Sequence, residues 1–353
     1  MFNLNNNNNK GRNMNTIRKI AYSILASVFV FANANAGELS VTGSAKATYT
    51  ILSVDGSATD DDAGKGMGMA NEFTLGAGGE LDNGWTWATN IDIDGATVQD
   101  DMSMTIGMGG LGSVKWNISD GGIAKNFSSS QSVYGTPVDN GEGGTYTDSG
   151  DTGTMHSVRY TTPSGLPYDA VIQVQYAPYT GTNDANSSNS AGVADAGGNE
   201  DAIEYAFSAS PVEGLGIGAS YYDPDDSAKG QSEEGGAWYL TYDIGAISLG
   251  YGQSYAATSL DLNTTNEAED YQNKMYSIAF NVNDALSVSY EDVESDKNFE
   301  TAASDVSMDV ESIQASYTIA GMTLSISNEE YDNHDYNAGN KMKETNFAMS
   351  ISF

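Results

Sequence analysis

From Leu39 to the end of the chain, apolar side chains fall on every second position, a period that suits a pleated strand with two unlike faces and disfavours helix. Leu39, Val41, Ala45, Ala47, Tyr49 and Ile51 alternate with Ser40, Thr42, Ser44, Lys46 and Thr48. The pattern returns with Trp85, Trp87, Ile91 and Ile93, with Met102, Met104 and Ile106, and with Trp238, Leu240, Tyr242 and Ile244. It closes with Phe347, Met349, Ile351 and Phe353, the last of sixteen such segments. No downstream stretch approaches the roughly 18 consecutive apolar residues of a spanning helix, so strands are the only regular element the pattern supports.

The connections alternate in length. Tight links carry Gly, Asn or Asp, the residues that accept positive φ, at Asp82-Asn83-Gly84, Gly109 to Gly112, Thr162 to Gly165, Pro211 to Gly214, Gly245-Ala246, Asn283 to Ala285 and Ala320-Gly321. Longer polar loops fall at 55–66, 95–100, 119–153, 179–200, 223–235, 259–272, 295–307 and 332–343. Short turns at one rim and long loops at the other define an up-and-down meander.

Charge and composition narrow the function classes. The chain of 353 residues has 14 Lys+Arg against 48 Asp+Glu, a formal net charge of −34, which excludes nucleic-acid binding by counterion release. It has no cysteine, so there is no disulfide frame, thiolate nucleophile or thiolate metal site. Two histidines, His156 and His334, leave little for a metal centre or a serine triad. The expectation is a protein without catalytic residues, cofactor or metal.

The first 36 residues read as an export signal. Lys10, Arg12, Arg18 and Lys19 precede an apolar run from Ile20 to Ala32, and Ala34-Asn35-Ala36 offers small residues at both recognition positions for cleavage. Translation starting at Met14 would keep everything such a signal needs. Export and the absence of cysteine fit a bacterial envelope, with residues 37–353 as one β domain.

Alternation alone is shared by soluble sandwiches and membrane barrels. An even strand count, aromatics near strand ends such as Trp238, Tyr242, Tyr276 and Tyr317, and the intolerance of membranes for open sheet edges favour a sixteen-stranded antiparallel transmembrane β-barrel. Particular segments carry a family likeness. His156-Ser157-Val158-Arg159-Tyr160-Thr161-Thr162-Pro163, followed by Ile172-Gln173-Val174-Gln175-Tyr176, resembles the mid-barrel signature of Gram-negative general diffusion porins. Asn346 to Phe353 looks like the signal such proteins present to the barrel-assembly machinery, with Phe353 as its terminal residue. The Asp-Asn-Gly turn before two tryptophans is similar to that family as well. The resemblance implies an outer-membrane homotrimer in which the loop after the fifth strand, 119–153, folds into each pore. The chain departs from the family in having His156 where Asn is usual, and in having fewer wall arginines.

Parity then assigns the lumen. Lys46, Lys115 and Arg159 fall on the polar face, with Glu72, Asp92, Asp94, Glu204, Asp243 and Glu291. The loop adds Asp139, Glu142, Asp148 and Asp151, and carries Lys125 near its start. Loop acids facing wall bases would set up a transverse field, and the excess of carboxylates predicts cation selectivity. The expected activity is passive diffusion of small hydrophilic solutes and ions through a water-filled channel. A substrate-specific channel and a non-channel surface β-protein remain open; phosphate specificity lacks its basic rings, and Tyr239 alone makes no sugar ladder.

Other motifs carry less. Gly107 to Gly112 has the glycine spacing of a dinucleotide-binding turn, but a strand pattern follows it and no helix N-terminus is offered to a pyrophosphate. Asp60-Asp61-Asp62 and Asp223-Pro224-Asp225-Asp226 lack the spacing and closing Glu of a calcium loop; a weak external cation bridge to lipopolysaccharide phosphates is the most they suggest. His156 falls at a membrane rim and His334 in an exposed loop.

Overall fold

The computed structural model describes residues 37–55, 63–94, 101–118, 121–123, 132–133, 146–153, 155–178, 201–225, 230–260, 267–299 and 305–353. The export signal and Lys125, Asp139 and Glu142 lie outside these. Sixteen strands run in chain order. They are β1 (Glu38–Asp55), β2 (Gly64–Glu80), β3 (Thr86–Asp94), β4 (Asp101–Gly107), β5 (Ser113–Ile118) and β6 (Ser157–Thr161). Next come β7 (Val171–Ala177), β8 (Ala202–Ala209), β9 (Leu215–Pro224), β10 (Glu234–Ile244) and β11 (Ile247–Ala257). The last are β12 (Ala268–Asn281), β13 (Leu286–Phe299), β14 (Val306–Ile319), β15 (Met322–Asp332) and β16 (Lys341–Ser352).

Each strand pairs antiparallel with its chain neighbours, and β1 pairs with β16 to close the barrel. The seam ends on a reciprocal backbone pair: Gly43 N–H donates to the Phe353 carbonyl at 2.8 Å and Phe353 N–H to the Gly43 carbonyl at 3.0 Å. A Cβ on Gly43 would stand 2.6 Å from the Glu72 carbonyl and 2.9 Å from the Phe353 ring, so only glycine fits this closure. At the Gly109-to-Gly112 link a single turn of 3-10 helix joins β4 to β5, giving the hairpin that the strand pattern after it requires. Gly112 holds φ at +88° there, and a Cβ would collide with the Thr161 carbonyl.

The apolar members of each alternating set point outward. Leu240, Ile278, Phe280, Leu324 and Ile351 are 41–45 % exposed, and comparable side chains ring the barrel. An apolar surface that continuous is tolerated only against lipid. Its upper border is legible in the register. One row of partners runs from Ile172 near the short-turn end of β7 through Phe207, Ala219 and Trp238. The row continues through Gln253, Lys274, Glu294, Asp309 and Asp332 to Lys341 and Asp55 at the long-loop ends of β16 and β1. It turns polar between Trp238 and Gln253. The row below, Leu240, Tyr251, Tyr276, Asp292, Glu311, Glu330, turns polar between Tyr276 and Asp292. The next, Leu249, Ile278, Tyr290, Ile313, Asn328, turns between Ile313 and Asn328.

Each step of two residues down the strands thus moves the border two strands around the barrel. With a rise of about 3.3 Å per residue and a strand spacing of about 4.8 Å, this is a flat border crossed by strands tilted about 35°. That tilt falls within the range of membrane barrels, about 35–45°.

Above the border the polarity of the wall inverts. Lys274, Asp292, Glu294, Glu311 and Glu330 point outward, while Met275, Val293, Met308, Val310, Tyr331 and Met342 form a dry cluster inside, with Leu52 and Val54 packed against it. This inversion corrects the loop boundaries expected from the sequence. The segments 259–272 and 295–307 contribute residues to β12, β13 and β14, because an extramembrane strand with a dry inner face lacks the apolar-out pattern used to find strands.

Candidate functional site: a loop clasped inside the barrel

The described parts of the loop after β5 lie against the inner wall from β6 round to the turn between β15 and β16. Its two stems meet at Glu204 on β8. One carboxylate oxygen accepts the Ile123 N–H at 2.5 Å, and the other accepts the Thr152 N–H. Glu204 has no solvent exposure. Gln175 on β7 adds a second bracket, donating to Thr152 Oγ1 at 2.5 Å and to the Gly121 carbonyl at 3.2 Å. Its own carbonyl accepts Arg159 Nε at 2.5 Å and, more weakly, Asn117 Nδ2 at 3.5 Å. Arg159 on β6 also donates to the Gly121 carbonyl at 2.6 Å. A carboxylate, an amide and a guanidinium from three adjacent strands thereby hold both ends of one loop.

Beyond the clasp the loop follows the wall. Gly150 passes so close to the Tyr222 ring that a Cβ would stand 2.5 Å from it. The Thr147 carbonyl accepts Asn273 Nδ2 at 2.8 Å, and its N–H donates to the Tyr336 hydroxyl at 3.3 Å. Tyr146 covers the apolar cluster, and the Val133 N–H donates to Ser289 Oγ at 3.0 Å. Tyr336 belongs to the short turn His334–Tyr336 between β15 and β16, where burial pushes its hydroxyl pKa up.

The inner face on β1–β6 is different. Lys46, Glu72, Asp92, Asp101, Lys115 and Arg159, one per strand, all keep partial exposure to solvent. Asp92 stands directly opposite Asp101, and Lys115 directly opposite Arg159. Like charges opposite one another are destabilising across a sheet, so a wall carrying one acidic and one basic pair on successive hairpins concentrates field where water is present.

The remaining predicted positions are distributed as follows. Asp94 is the register partner of Glu72. Asp243 sits near the short-turn end of β10, accepting from Ser248 Oγ at 2.7 Å, away from the clasp. Glu291 is buried on β13, two residues from Ser289, which accepts the loop's Val133 N–H. In the loop, Asp148 accepts the N–H of Ser149, and Asp151 accepts that of Gly153 while lying against Gly122 of the opposite stem. His156 directly precedes β6, where burial lowers its pKa. No group of acidic or histidine side chains with metal-ligand spacing occurs among the described residues.

The clasp residue Gln175 was not singled out from the sequence, nor were Asp101, Glu329 and Glu344. Parity alone would have put them on the inner face. What it could not supply is the row Glu291, Ser312, Glu329, Glu344 that the register of β13–β16 assembles. Those three glutamates are at most 1 % exposed.

No protein-family model matches the chain, and no curated protein does. Solved structures do match. The chain is similar to Salmonella typhi OmpF, solved in complex with daunomycin, at a TM-score of 0.62 and 16% identity, covering 91% of this chain and 99% of that one. It is similar to a porin refined at 1.8 Å resolution, with a TM-score of 0.61, 14% identity and coverage of 90% and 100%. The outer membrane channel DcaP of Acinetobacter baumannii aligns at 0.59 and 12% identity over 92% and 99%. With a closed antiparallel barrel of sixteen strands, the chain has the fold of the outer-membrane general diffusion porins.

Proposed function

We propose that this protein is an outer-membrane porin, a water-filled channel for passive diffusion of small hydrophilic solutes and ions. The observation that carries the reading is the loop after β5 clasped by Glu204, Gln175 and Arg159 inside a barrel whose outer wall has a flat apolar band. The loop narrows the lumen from the side on which it is clasped and leaves the charged wall of β1–β5, with the partly exposed Arg159 of β6 at its margin, facing the water path. Glu72, Asp92, Asp94 and Asp101, with Asp139 and Glu142 on the loop, outweigh Lys46, Lys115 and Arg159, so the channel is cation-selective.

Residues 1–36 direct export and are removed. The mature chain forms a homotrimer, as the trimer form of the similar Vibrio cholerae outer membrane protein OmpT supports. Phe353 serves as the assembly signal to the barrel-assembly machinery, and outer-leaflet lipopolysaccharide surrounds the wall. The test is conductance of the refolded protein in a planar bilayer under a salt gradient. Discrete steps with a reversal potential of cation-selective sign are expected; a bilayer that stays silent overturns the reading.

A further inference from the structure

In a chain this rich in carboxylates, the lysines of the outer wall pair with them. Lys274 holds Glu294 at 3.3 Å, Lys341 holds Asp332 at 2.7 Å and Lys343 holds Glu330 at 2.6 Å. Lys297 does not. It lies on the inner face of β13, on the parity of Val293 and Ser295 and above the dry cluster, toward the long-loop rim. In place of a carboxylate it has aromatic rings. Its Nζ stands 5.7 Å from the ring centroid of Tyr271, its register partner on β12, and 5.2 Å from that of Phe299 on its own strand. Tyr336, from the turn between β15 and β16, brings a third ring to 5.6 Å and meets Tyr271 edge-on at 5.4 Å. All of these side chains keep partial exposure to solvent. The polar groups beneath are engaged with one another, since Asn273 Nδ2 donates to the Thr147 carbonyl and Ser295 Oγ contacts the Tyr336 hydroxyl at 2.6 Å. Among the described residues, no acceptor meets the Lys297 ammonium and no hydrogen-bond partner meets the Tyr271 hydroxyl.

We propose that Lys297, Tyr271, Phe299 and Tyr336 form a site at the outer mouth of the channel for organic anions that carry an apolar ring, the aromatic carboxylates. Ring faces attract an ammonium through their quadrupole without cancelling its charge, so Lys297 is held in place and keeps its N–H donors for a solute. The carboxylate accepts from the ammonium in a charge-assisted hydrogen bond, with the Tyr271 hydroxyl as a second donor, and the ring of the solute lies against Phe299 and Tyr336. A small anion such as acetate brings the charge with no ring to cover the aromatic side chains. A neutral aromatic brings the ring with nothing for the ammonium. The proposal rests on the channel reading and deepens it by naming a solute class that the mouth retains.

The test is isothermal titration of the protein, purified from membranes in detergent, with 1-naphthoate, and with acetate and 1-naphthalenemethanol as probes that each lack one half. The parent should bind 1-naphthoate at about tenfold lower concentration than either of the others. Lys297→Met keeps the length of the stem and drops the charge, and should weaken 1-naphthoate about tenfold. Lys297→Arg should retain the binding, and Lys343→Met on the outer wall should leave it unchanged. In planar bilayers the same probe should interrupt the current of the parent but not that of Lys297→Met. The proposal is overturned if the parent binds 1-naphthoate no more tightly than acetate, if Lys297→Met binds it as the parent does, or if the probe leaves an open channel's current untouched. Titration needs no ion flow, so binding with a silent bilayer strikes at the channel alone, and normal conductance without binding strikes at the site alone.

Discussion

At the residue scale, Glu204 and Arg159 have separable jobs although they sit in one clasp. Glu204→Ala strands the N–H groups of Ile123 and Thr152 in a buried site, each at a cost of about 1–3 kcal/mol. Expected results are noisier open-channel current and faster proteolysis within the loop, with Glu204→Gln intermediate because its amide oxygen still accepts one N–H. Current noise identical to the parent's would mean that Gln175 and the remaining wall contacts suffice. Arg159 contributes charge as well as a bond. A unit charge acting on an ion about 7 Å away through water is worth about 0.6 kcal/mol, or about threefold in local ion concentration. Because the charge repels cations and attracts anions alike, Arg159→Ala should raise cation over anion permeability by about the square of that factor, roughly sevenfold, and an unmoved reversal potential would refute it. Period-two parity placed both side chains in the lumen. It could not reveal the clasp, because Ile123 and Thr152 accomplish it through backbone N–H groups that every residue type shares.

At the scale of elements, the loop after β5 is anchored at its ends and along one wall. Glu204 and Gln175 fix the stems, and Tyr146 caps the cluster of Met275, Val293, Met308, Val310, Tyr331 and Met342. Removing residues 134–145 leaves the stems and Tyr146 in place, so the barrel should stay folded while the lumen widens. Single-channel conductance should rise roughly twofold and cation selectivity should fall with the loss of Asp139 and Glu142. A conductance equal to the parent's would place the narrowing elsewhere. Tyr146→Ala is a different lesion, since it uncovers an apolar patch; the expected cost is about 3–5 kcal/mol in equilibrium unfolding. The patch was hidden in the sequence. Leu52 after Ile51, Met275 between Lys274 and Tyr276, and Val293 among acids all break the alternation, and such breaks read as loop margins until the strands are known to extend above the lipid.

The whole molecule is defined by the flat border on its outer wall. Three register rows that end their apolar stretches two strands apart, at Trp238, Tyr276 and Ile313, describe one plane, and a plane of polarity is what a bilayer imposes on a tilted barrel. A soluble barrel would have no reason to keep this border level from β10 to β15. The plane predicts how a charge is tolerated with depth. Ile278→Arg puts a guanidinium inside the band and should cost about 2–4 kcal/mol in the unfolding free energy of protein embedded in lipid vesicles, whereas Glu311→Arg, above the plane, should cost about 0–1 kcal/mol. Urea titration followed by tryptophan fluorescence measures both. The same pair in detergent micelles should differ less, because a micelle deforms around a charge more readily than a bilayer. Equal costs for the two variants in vesicles would show that the apolar band is not held at the depth its register implies, and the channel reading would lose its frame.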